Sequence, residues 1–239
     1  MSKALLFALI AAFGNVLGGL AVTRRAVLEL KVIEHLLAFG AGFMLSVAII
    51  ELLPQAFARS GAIAPALVLV GYLAVHLTQH TVTPHFHFGE ETHTVTPIAG
   101  TSALVGLLLH TFFDGVAIAS AFLVGPSLGF MVFIAILLHK LPEGVTISSI
   151  MMAGGRSRGR AIGAATLLGI ATLLGVVLTD HVGFLVQHGL AIAAGVTIYV
   201  AASNLVPELQ GKRGWTLPAA FFAGAAVFFA TKLLLDSTA

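Results

Sequence analysis

Two hexapeptides in the middle of this 239-residue chain carry residue types suited to holding a metal ion. They are His110-Thr111-Phe112-Phe113-Asp114-Gly115 and His139-Lys140-Leu141-Pro142-Glu143-Gly144, and both read H-x-x-x-[D/E]-G. On a helix, positions i and i+4 lie on one face, so each hexad would project an imidazole and a carboxylate in the same direction. Two such faces meeting would supply two nitrogens and up to four oxygens. That donor set suits a hard or borderline divalent cation such as Zn²⁺, Fe²⁺, Mn²⁺ or Cd²⁺, whereas Cu(I) wants sulfur. The glycine closing each hexad allows close helix approach. Pro142 has no N–H to give the Leu138 carbonyl, which predicts a kink there. A single His in an apolar helix is more often a packed residue than a ligand. Ionisable groups in an apolar span nevertheless cost at least a few kcal/mol, and two matching pairs at ligand spacing point to function.

The elements that must position these groups are set by composition. Hydrophobic residues make up 58 % of the chain and charged residues only 9 %, against roughly a quarter charged in soluble domains. With a mean hydropathy of +1.04, the solvent of this protein is largely lipid, and disorder is excluded by the wealth of apolar material. The pI near 9.2 reflects a net charge of only +2, so it predicts no nucleic-acid partner. The absence of Cys excludes disulfides, thiolate metal sites and cysteine nucleophiles.

Apolar runs punctuated by charge, Gly or Pro predict an all-α multi-pass membrane protein. Eight transmembrane helices are expected, at about 4–23, 34–56, 62–80, 100–123, 128–152, 160–179, 186–207 and 216–236. The whole of 1–239 reads as one transmembrane domain. Lys and Arg set the orientation. With the N-terminus outside, the inner loops hold Arg24, Arg25, Lys31, Arg156, Arg158, Arg160, Lys212 and Arg213, eight of the twelve cations. Lys3, Arg59 and Lys232 remain outside and Lys140 lies within a span. Both termini are therefore expected to be extracytoplasmic. The run Ala41-Gly42-Phe43-Met44-Leu45 through Glu51-Leu52-Leu53-Pro54 is echoed 153 residues later by Ala194-Gly195-Val196-Thr197-Ile198 through Asn204-Leu205-Val206-Pro207. The same offset carries span 3 onto span 8 and, approximately, span 1 onto span 6. Three-helix units separated by two central helices must lie in opposite orientations, an inverted 3+2+3 repeat of the kind found in secondary transporters.

Competing chemistries leave gaps. An intramembrane metal-dependent hydrolase would need H-E-x-x-H, but Lys140 stands where the base should be and no second His follows. An ATP-driven pump would need a phosphate-binding G-x-x-x-x-G-K-[ST] loop, which the chain lacks. A non-transporting membrane scaffold would leave the two hexads unexplained.

The hexads, the Ala-Gly-x-Met-Leu-Ser…Glu-Leu-Leu-Pro run of span 2 and the Ala-Gly-Val-Thr-Ile-Tyr-Val-Ala…Val-Pro-Glu run of span 7 resemble the ZIP (Zrt/Irt-like) divalent-metal transporters, in particular the prokaryotic GufA-like branch. The resemblance covers essentially the whole chain. It implies an ATP-independent transporter, not an enzyme, that moves zinc or a similar metal into the cytoplasm through a site on helices 4 and 5. His110, Asp114, His139 and Glu143 would be its metal ligands. It also implies a prokaryotic cytoplasmic (inner) membrane, the lipid bilayer and the metal substrate as partners, no cofactor beyond the transported metal, and room for a homodimer.

Many family members hold a second metal through an Asn after the first His, an acid after the second and a Glu on helix 6. This chain has Thr111, Lys140 and Thr172 there, so a single-metal site is expected. The Lys140 ammonium, with Asp114 and Glu143 as its nearest partners, would fill the space of the second ion. Ser46 is favoured by the resemblance as a pathway residue, although a hydroxyl bonded to its own backbone is an equal reading; Glu51 is a second pathway candidate.

A cytoplasmic loop at about 81–99, with its flanks, carries His76, His80, His85, His87 and His93 beside Glu90 and Glu91. Such tracts can capture metal, and a plain soluble connector is the alternative. Asp180, His181 and His188 are candidates for gathering cations at the outer entrance. Glu34, His35, Glu208, Lys232 and Asp236 read as interfacial residues, with Glu34 and His35 as candidate exit ligands.

Overall fold

A run of apolar residues in lipid has to satisfy every backbone N–H and C=O internally, and a helix does so within one segment. The computed structural model describes residues 2–24, 30–79, 97–207, 212 and 214–237, and these are helical almost throughout, with no strand among them. In chain order the helices are α1 (Lys3–Thr23), α2 (Leu30–Val47), α3 (Leu53–Ser60), α4 (Ala64–Leu77), α5 (Pro97–Val124), α6 (Pro126–Ala153), α7 (Arg158–His181), α8 (Gly183–Ile198) and α9 (Thr216–Ser237). Caps follow from sequence: the Ser2 hydroxyl accepts from the Leu5 N–H at 3.2 Å, and Ser157 opens α7 in the same way at 3.4 Å.

Among the described residues, seven helical segments are long and apolar enough to cross a membrane. The sequence predicts eight, and the difference lies at 34–56 and 62–80, which here form one helical stretch of 47 residues, Lys31–Leu77. At 1.5 Å per residue that stretch would extend about 70 Å if straight, more than twice the ~30 Å hydrocarbon core. It is broken at Gly61, whose φ of +57° and ψ of −139° suit glycine and almost nothing else.

Short π segments interrupt the helices at Ala48–Leu52 and at Tyr199–Leu205. Each precedes a proline, Pro54 or Pro207. A proline cannot donate to the preceding turn, and local widening of the helix is one way to accommodate it. Pro142 behaves differently, because α6 runs through it without ending.

Glycines set the closest crossings. A Cβ on Gly42 of α2 would meet the Phe221 carbonyl and the Ala225 amide of α9, and one on Gly195 of α8 would meet the Val68 carbonyl and the Tyr72 amide of α4. These two crossings are related at every position by 153 residues. The pair Gly224 against Phe39 and Gly71 against Ile192 obeys the same offset. Around the centre, Gly18 of α1 lies against Leu141 and Val145 of α6, while Gly175 of α7 lies against Phe112 and Val116 of α5. The α1/α6 crossing is thus repeated by α7/α5, and α2/α9 by α8/α4. A single extended residue, Gly125, joins α5 to α6, which forces the two helices carrying the hexads into an antiparallel hairpin.

Candidate metal centre

The hairpin places residue 111 opposite 143 and residue 114 opposite 139 and 140. The consequence is convergence: one donor atom from each of His110, Asp114, His139 and Glu143 lies within 4.8 Å of all the others, and all four residues are buried. No other metal-suited group of three or more His, Asp or Glu occurs among the described residues. Two ligand atoms on one ion stand at most about 4.2 Å apart, twice a ~2.1 Å bond, so sub-ångström adjustments would close this set on a cation.

Hydrogen bonding leaves the donors poised. His139 Nδ1 lies 3.0 Å from the Ala135 carbonyl, which can only accept. In the neutral ring the proton therefore sits on Nδ1, and Nε2 presents a bare lone pair to Asp114 Oδ2 at 3.3 Å. In that state the two lone pairs face one another, an arrangement that a metal cation or a proton on Nε2 relieves. His110 Nε2 approaches the same oxygen at 3.4 Å, and its Nδ1 is buried without a hydrogen-bond partner. A buried polar atom left in this way is unusual.

Lys140 is completely buried beside the group. Its ammonium donates to Asp114 Oδ2 at 2.6 Å and to Glu143 Oε2 at 2.8 Å. With both histidines neutral and both carboxylates ionised, the centre carries a net charge of −1. An ionised lysine is tolerable in such a place because both neighbours are anions at hydrogen-bond distance. The Thr111 hydroxyl lies 2.8 Å from Glu143 Oε1 and 2.5 Å from its own Leu107 carbonyl. Thr172, also buried, donates to its own Leu168 carbonyl at 3.3 Å.

The other residues singled out from the sequence stand elsewhere. Ser46 donates to the Gly42 carbonyl of its own helix at 2.9 Å. The His76 ring packs edge-on against Tyr199. Glu51 pairs with Lys232, which also reaches Asp236 at 3.3 Å, and Glu34 pairs with Lys212 at 2.5 Å. His35 and His181 turn Nδ1 to carbonyls of their own helices, Asp180 ends α7 beside His181, and His188 faces the Ser60 hydroxyl at 3.0 Å. His80, His85, His87, His93, Glu90, Glu91 and Glu208 lie outside the described residues. Of the loop expected at 81–99, the last residues from Pro97 already belong to α5.

One residue at the centre escaped the sequence reading. Asn15 of α1 is fully buried and touches Glu143 and Lys140. The available signal was an amide alone in an apolar span, flanked by Gly14, Gly18 and Gly19.

Residues 89–232, more than half of the chain and inclusive of all four converging residues, match the family model described as ZIP Zinc transporter. No curated protein matches the chain.

Proposed function

The chain belongs to the ZIP zinc transporter family, whose members are transporters of divalent metal and not enzymes, and from that footing we propose that it moves zinc or a similar ion such as Fe²⁺, Mn²⁺ or Cd²⁺ into the cytoplasm without ATP. The cargo binds between α5 and α6 on His110, Asp114, His139 and Glu143. The observation that carries this reading is the buried convergence of two imidazoles on a carboxylate, with His139 Nε2 3.3 Å and His110 Nε2 3.4 Å from Asp114 Oδ2. Lys140 fills the remaining space between the carboxylates, so one ion is held at a time.

We further propose eight crossings in an inverted 3+2+3 repeat, with both termini outside and α4 a crossing of its own. The reciprocal glycine crossings support this, since α4 packs on α8 as α9 packs on α2, and two copies of one unit in opposite orientations would do so. The His-containing segment after α4 would then face the cytoplasm. The membrane is that of a prokaryotic cell, the relatives are the GufA-like branch, and a homodimer is compatible with the lipid-facing surface.

Uptake of Zn²⁺ into proteoliposomes in the absence of ATP tests the activity and the site together. Wild type should load the vesicles, and His139→Ala should abolish loading at near-normal membrane abundance; Glu143→Ala should abolish loading as well, at a lower melting temperature, because Lys140 loses a buried partner. Normal transport by both variants would overturn the site.

A further inference from the structure

Four residues account for the cargo, but they do not account for Asn15. An amide buried in a helix of Ala, Leu, Phe and Gly is costly unless its hydrogen bonds are made. The α1/α6 crossing delivers it. A Cβ on Gly144 would run into the Asn15 backbone carbonyl, so only glycine lets α1 come this close. The side chain thereby sits beside the hexad of α6. With the amide turned as the surrounding acceptors require, its nitrogen donates to Glu143 Oε2 at 3.2 Å and to the Lys140 carbonyl at 2.5 Å.

The internal repeat shows that this contact is particular to one half of the centre. Gly115 lies against the Thr172 carbonyl as Gly144 lies against that of Asn15, so Thr172 occupies the matching place on α7. Its hydroxyl turns back to Leu168, whereas Asn15 reaches a carboxylate. Glu143 is consequently held through Oε2 by both Asn15 and Lys140, with Thr111 beside Oε1. Asp114 meets Lys140 and the two histidines through Oδ2.

We infer that Asn15 is a positioning residue of the cargo site, which fixes the Glu143 carboxylate in the orientation that the cation meets. The inference rests on the proposal that the central group holds the cargo. Hydrogen bonds to charged acceptors exceed neutral ones in strength, and losing this one should weaken cation binding by about tenfold.

The test is titration of the purified full-length protein with Cd²⁺ alone, with thermal unfolding followed in parallel. Asn15→Leu, similar in shape but unable to donate, should raise the Kd about tenfold at a near-normal melting temperature. In a Glu143→Asp background, whose shorter carboxylate falls short of Asn15 but still binds metal, the same substitution should change the Kd less than about threefold. An equal factor in both backgrounds, or a wild-type Kd in Asn15→Leu, would overturn the inference. Should Asn15→Leu fail to fold, Asn15→Asp decides: an acceptor there repels Glu143 and weakens binding, whereas tighter binding would make position 15 a ligand position and refute a positioning role. Absence of saturable Cd²⁺ binding in the wild type, or an unchanged Kd in Glu143→Ala, would instead overturn the cargo site itself.

Discussion

Replacing Lys140 by Met removes a charge from the centre while keeping much of the side-chain volume. The ammonium lies 2.6 Å from Asp114 Oδ2, and a metal–oxygen bond is about 2.0–2.2 Å. A cation on that oxygen therefore stands within about 4.8 Å of Nζ. At an effective dielectric constant of about 20, a divalent ion and an ammonium at that separation repel by about 7 kcal/mol. The ammonium also steadies the two carboxylates, so only part of this is recovered when it goes. A third of it, ~2.3 kcal/mol, is still about fiftyfold in affinity. Lys140→Met should accordingly bind Cd²⁺ or Zn²⁺ about fiftyfold more tightly, read by titration of the purified protein at fixed pH. The metal-free variant should be less stable, because removing one member of a buried ion pair costs about 3–5 kcal/mol, and metal should restore it. In proteoliposomes the KM for uptake should fall and the maximal rate should fall with it, since a cation held more tightly leaves more slowly. An unchanged or weaker Kd would refute the competition between ammonium and cargo on which this reasoning depends.

Further perturbations probe the site and its frame. Lys140→Glu combined with Thr111→Asn and Thr172→Glu should gain a second ion, seen as two adjacent anomalous peaks in Cd²⁺-soaked crystals where wild type shows one; two peaks in the wild type would refute the single-ion centre. Single cysteines at Ser2 and Thr238 should react with an impermeant reagent from outside intact cells while one at Ser157 is protected, and the reverse pattern would overturn the orientation. Gly144→Ala should lower the melting temperature, because its methyl meets the Asn15 carbonyl and overpacking costs about 1–3 kcal/mol. Gly163→Ala, whose methyl would meet open space, should not; equal losses would refute the α1/α6 crossing.

Much of this protein is written in its composition and spacing. Too few charges to cover a soluble surface leave lipid as the solvent, and lipid leaves helices as the structure. The spacing of His110 to Asp114 and of His139 to Glu143 fixes which side chains share a face, because helical periodicity is local. Local sequence does not say which face meets which neighbour. That the hexads converge depends on a one-residue turn at Gly125 and on glycines that admit α1 and α7 at the crossings. Asn15, 124 residues before the start of the α6 hexad in sequence, enters the centre only through such a crossing. The same limit explains Ser46, for which the sequence allowed a pathway role or a bond to its own helix, and which bonds to Gly42. It also explains Glu34, whose acidity was legible but whose partner Lys212, 178 residues away, was not. Residue type and periodicity determined what chemistry the chain can do, and the packing of distant helices decided where its groups meet.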